Sequence, residues 1–75
     1  MLNATTIKAA NAVLNMVSRI GGDVGDMVLR NESDVCGWEW SEIENAIGVL
    51  LDRGLLVATM GYDAVGRIES AVRLA

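Results

Sequence analysis

A chain of 75 residues that is 52% hydrophobic and carries a net charge of −4 has room for one core, so residues 1–75 are taken as a single domain. The absence of histidine rules out Ser–His and Cys–His nucleophile pairs. One cysteine without histidine supplies no zinc ligand set, so neither an enzyme nor a metal or other cofactor is expected.

Residues 5–20 predict an amphipathic helix, with Ile7, Ala10, Leu14 and Val17 at helical spacing and Val13 and Ile20 widening the stripe. Asn3 or Thr5 suits its N-cap, and Gly21-Gly22 a left-handed stop. Asp23 is expected to cap a second, shorter helix through residues 24–30, with Val24, Met27 and Val28 facing inward. The stretch NESDVCGWEW, residues 31–40, has no periodicity and predicts a connection of ten residues, with a short strand where Trp38, Glu39 and Trp40 alternate.

The third helix is expected over residues 41–53. Ser41 and Glu44 match the capping box, and Ile43, Ala46, Ile47, Leu50 and Leu51 recur on one face. No hydrophobic staple is expected, because Trp40 would pair with Asn45. Gly54 is positioned to stop the helix. Residues 55–60 form a β-prone run, residues 61–66 supply turn residues, and residues 67–74 alternate, with Ile68, Ser70, Val72 and Leu74 on one face. The expected fold class is therefore α+β, three helices followed by a C-terminal two-stranded β-hairpin.

That order of elements, together with the run IGVLLDRGLLV at residues 47–57, resembles a winged helix-turn-helix domain over nearly the whole chain. The resemblance implies a third helix that enters the DNA major groove and a wing loop that contacts the adjacent backbone. By position these roles would fall on residues 41–53 and 62–67. Two features depart from the family's pattern: the ten-residue connection exceeds its usual tight turn, and the third helix is acidic.

The acidity is concentrated. Between residues 21 and 52, eight acids stand against Arg30 alone, a local net charge of −7, the reverse of the basic stripe that displaces counterions from phosphates. A carboxylate held about 4 Å from a phosphate costs on the order of 1 kcal/mol even in water. Glu42, Glu44 and Asp52 on one helix would offset several phosphate contacts.

The candidate partner-binding set is accordingly Trp38, Glu39, Trp40, Glu42, Glu44, Asn45, Gly48, Val49 and Asp52, an aromatic anchor with an acidic rim. At least one Trp is expected to cap the core. Gly48 has two accounts, close packing against another element of the domain or a shallow spot for a partner with Val49 as its floor. Cys36 is expected to be a small packed residue, and a lone cysteine fits a reducing, cytoplasmic setting.

No apolar run approaches the roughly 18–20 residues of a membrane span. The expected function is that of a small acidic winged-helix interaction protein that regulates or inhibits a protein with a basic surface, by mimicking DNA or in the manner of phage-encoded inhibitors of host machinery or defence. Self-association is compatible with the high aliphatic content. The alternative is a DNA-binding transcription regulator that uses Lys8, Arg53, Arg67 and Arg73 for nucleic-acid contacts.

Overall fold

The computed structural model describes residues 3–75 and has three helices and a three-stranded antiparallel sheet. The order is α1 (Ala4–Ile20), β1 (Val24–Gly25), α2 (Asp26–Val35), α3 (Trp40–Asp52), β2 (Leu56–Tyr62) and β3 (Ile68–Leu74). The two-stranded hairpin expected from the sequence gains a third strand, because Val24 and Gly25 pair with Val72 and Ala71 and give the order β1-β3-β2. Two residues carry too little pattern to announce a strand. Their pairing is fixed by β3, some 47 positions further along the chain.

Helix α1 starts where its cap dictates: the Asn3 side chain accepts from the Thr6 N–H at 2.8 Å. It ends at Gly21, in the left-handed region at φ 78°, whose N–H donates to the Val17 carbonyl. Its buried face is Ala9, Val13, Met16 and Val17. The expected stripe was rotated too far, for Ile7 and Ile20 are exposed and Ala10 and Leu14 lie at the margin of the core.

Helix α2 differs most from expectation. Val24 is buried as part of β1 rather than as a helical residue, and the helix begins at Asp26. Met27 and Val28 are exposed, while Leu29 and Ser33 point inward and are fully buried. The Ser33 hydroxyl donates to the Leu29 carbonyl one turn back, at 2.6 Å, so the buried polar group is satisfied within its own helix. The helix runs on to Val35, which shortens the expected ten-residue connection to four residues, Cys36–Glu39. Gly37, at φ 81°, closes α2 with paired C-terminal bonds from the Gly37 and Trp38 N–H groups to the Asp34 and Ser33 carbonyls. Cys36 is exposed, not packed, because it lies in this turn.

No strand forms at residues 38–40; Trp40 is the first residue of α3. The N-cap is Glu39, with no side-chain cap bond, so the Ser41–Glu44 capping box is not used. Moving the cap to Glu39 places Trp38 and Ile43 at the two staple positions, and Trp38 packs against the cluster that contains Ile43. The far end matches expectation: Gly54 at φ 72° and Leu55 donate to the Leu51 and Leu50 carbonyls.

The buried cluster joins Ala9, Val13, Met16 and Val17 of α1 to Val24, Leu29, Ile43, Ala46, Leu50, Leu56 and Val72, with Ile47 and Leu51 at its edge. An ion pair, Arg19 to Glu32 at 2.6 Å, ties the end of α1 to α2, so Glu32 is neutralised within the acidic segment. On the outer side of the sheet the Glu69 carboxylate lies over Gly25, and the buried Thr59 hydroxyl has no partner among the described residues.

The hairpin turns through Ala64, Val65 and Gly66, with Gly66 at φ 86° as the left-handed residue that a three-residue loop requires. Asp63 organises this loop. Its carboxylate accepts from the Val65 and Arg67 N–H groups and from the Arg67 guanidinium, and the Arg67 backbone bond is the main cause of a pKa below the ordinary 3.8. A lowered folded-state value means that these bonds stabilise the loop fully above about pH 3.8 and are lost as pH falls through the lowered value. Asp63→Ala is therefore expected to speed amide exchange at Val65 and Arg67 at neutral pH, and wild type should approach the variant's rates, corrected for intrinsic exchange, only in acid. Equal corrected rates at neutral pH would contradict this role.

Candidate functional site

The exposed face of α3 follows from the helical period. With Ile43, Ala46 and Leu50 committed to the core, Ser41, Glu44, Asn45, Gly48 and Asp52 must point to solvent, and all five are exposed. Glu42 and Val49 lie at the border, half-buried. Among the described residues, none of Glu42, Glu44 and Asp52 has an ion-pair partner.

A further carboxylate joins them from α2. Partial burial, and next the charge of Glu44, push the Asp26 carboxyl above its ordinary value of 3.8, while Arg30 pulls it down more weakly. A raised carboxyl favours the folded state fully below its ordinary value, and that contribution is lost as pH rises through the folded-state value. At neutral pH, then, Asp26 and Glu44 crowd one another. Asp26 was not singled out from the sequence, since its place beside Glu44 depends on how α2 packs on α3.

The two tryptophans are both half-buried against the core, each with part of its ring side chain at the surface. Trp40 serves the α2–α3 contact: the Arg30 guanidinium carbon lies over its ring, 5.5 Å from the centroid. Glu39 is exposed beside it as the cap residue of α3.

Gly48 lies in the middle of the outward face, and a Cβ built there meets nothing within 4 Å. Close packing inside the domain is thereby excluded as its reason. A glycine in an exposed helix interior costs about 0.5–1 kcal/mol relative to alanine. Gly48→Ala is expected to stabilise the fold by that amount and to raise Tm by roughly 2–8 °C. Thermal unfolding followed by circular dichroism checks this, and an unchanged or lowered Tm would contradict it.

The four basic residues of the nucleic-acid alternative are distributed over four places. Lys8 is on α1, Arg53 is the C-cap of α3, Arg67 is held to Asp63 at 3.2 Å in the hairpin loop, and Arg73 is on β3. No group of three or more His, Cys, Asp or Glu side chains suited to a metal ion occurs among the described residues, and no helix there is long and apolar enough to cross a membrane. Comparison with protein-family models, with curated proteins and with solved structures finds no match.

Proposed function

We propose that the protein is a binding module whose α3 face, Glu44, Asn45, Gly48 and Asp52 with Glu42 and Asp26 at its borders, docks on a basic surface of another protein and regulates or inhibits it. The observation that carries this reading is the set of carboxylates on that helix that have no ion-pair partner among the described residues. Two more observations support it. The Asp26–Glu44 crowding would be relieved by a cationic partner, and Gly48 keeps the middle of the face free of side-chain bulk. An acidic helix of this kind presents negative charge where a basic groove would otherwise receive DNA.

A second reading, a winged-helix DNA-binding regulator, draws support from the short turn. The four residues between α2 and α3 match the three to four of a helix-turn-helix, which removes one of the two departures from that pattern. The other departure remains, since a DNA-reading helix with three carboxylates unpaired among the described residues opposes phosphate contacts.

Affinity capture from the native host separates the two readings. The protein reading expects a protein that elutes with rising salt and is not retained by a Glu44→Lys, Asp52→Lys bait. Capture of nucleic acid in its place, or a protein retained equally by both baits, would contradict it.

A further inference from the structure

We propose that the free edge of β2 pairs with β2 of a second copy of this chain, giving a two-fold symmetric dimer with one continuous six-stranded sheet. This surface is separate from the α3 face, and the proposal does not depend on the reading given above.

Among the described residues, strand β2 is at the edge of the sheet, bonded to β3 on one side only. The Ala75 N–H donates to Leu55 and the Asp63 N–H to Arg67, so within the register the residues bonded to β3 are the odd ones, Val57, Thr59 and Gly61. Ala58, Met60 and Tyr62 therefore turn both their N–H and their C=O away from the sheet, and all three are exposed. Leu56 is buried, and its stretch of the edge is closed to a partner.

Natural edges are usually blunted by lysine, proline, a bulge or a covering element. The β2 sequence LVATMGY contains no charge and no proline, and its pairing with β3 is unbroken from Leu56 to Tyr62. Met60, Tyr62 and the neighbouring Ile68 are 66%, 75% and 64% exposed, an apolar surface on the outer half of the hairpin.

A second copy fits this edge for three reasons. A like strand brings no charge to a charge-free edge. An antiparallel two-fold centred on Met60 sets Ala58 of each strand opposite Tyr62 of the other, so a large side chain meets a small one and all outward groups of the three residues find partners. Growth then stops, because the opposite edge of the sheet is β1, only two residues long; a self-complementary contact closes as a dimer rather than running on as a fibre.

Sedimentation velocity of the full chain, from about 10 μM to about 1 mM, tests the proposal. Wild type should pass from monomer to a species of twice the 8.0 kDa chain mass as concentration rises. Added salt should favour the dimer, because it screens repulsion between two chains of net charge −4. Met60→Lys, which places two like charges on the axis, should remain monomeric at every concentration while keeping the wild-type circular dichroism spectrum. Val35→Lys, on the exposed surface of α2, should dimerise as wild type does. A wild type that stays monomeric to about 1 mM, a dimer that persists in Met60→Lys, or a dimer equally lost in Val35→Lys would overturn the proposal.

Discussion

Replacing Leu29 with alanine is expected to destabilise the protein by about 2–5 kcal/mol, the usual cost of emptying a fully buried leucine site. A 75-residue domain has only about 4–11 kcal/mol to lose at the ordinary range per residue. The single change would thus remove a large share of the total and leave a measurable unfolded fraction if wild-type stability is at the low end. Leu29 is fully buried and joins α2 to the core made by α1, α3 and the sheet. Exposed Met27 and Val28, replaced by alanine, should each cost less than about 0.5 kcal/mol. Urea unfolding of the three variants checks the ranking. A Leu29→Ala variant no weaker than Met27→Ala would mean that α2 does not pack as described.

That ranking could not be taken from the sequence, and the reason is local. In residues 24–30, Val24, Met27 and Val28 fit one helical face over two turns, but Val24 belongs to β1, so the helical count must start at Asp26. Shifting the start brings Leu29 and Ser33 to the inside. A buried serine also breaks the hydrophobic pattern that would have extended α2 to Val35; its hydroxyl is satisfied by the Leu29 carbonyl, a bond invisible to a count of apolar residues.

Elements with strong local signals were legible. The Asn3 cap, the Gly21 and Gly54 stops, the inner face of α3 and the β2–β3 hairpin appear as expected, except that Gly61 and Tyr62, expected in the turn, extend β2 and pair with Glu69 and Ile68. Elements that depend on distant partners were not: β1 needs β3, and Trp40 becomes helical because the chain leaves α2 through Gly37 in a four-residue turn. The candidate site was legible in the same proportion. Helical spacing alone assigns Glu44, Asn45, Gly48 and Asp52 to the surface. The half-burial of both tryptophans and the approach of Asp26 to Glu44 required the tertiary structure.

The second large effect is expected from reversing charge on α3. Glu44→Lys with Asp52→Lys removes two negative charges and adds two positive ones on an exposed face. For contacts at about 4 Å in water-like dielectric, each reversal is worth about 2 kcal/mol against a cationic partner, and the pair about 4 kcal/mol, roughly a 1,000-fold loss of affinity. Both side chains are outside the core, so the fold should be retained. The loss should shrink as ionic strength rises, because the screening length falls to about 8 Å near physiological salt. A salt-independent loss would point to disrupted packing instead of lost attraction.

Docking on a basic protein surface requires that α3 present a face that a polyanion avoids. Fluorescence anisotropy of a labelled DNA duplex at low salt measures this directly. Wild type should show no binding at tens of micromolar, and the Glu42→Lys, Glu44→Lys, Asp52→Lys variant should bind with an affinity that falls steeply as salt is added. Wild-type binding in the low micromolar range that weakens with salt, and is not improved by the three reversals, would contradict the account.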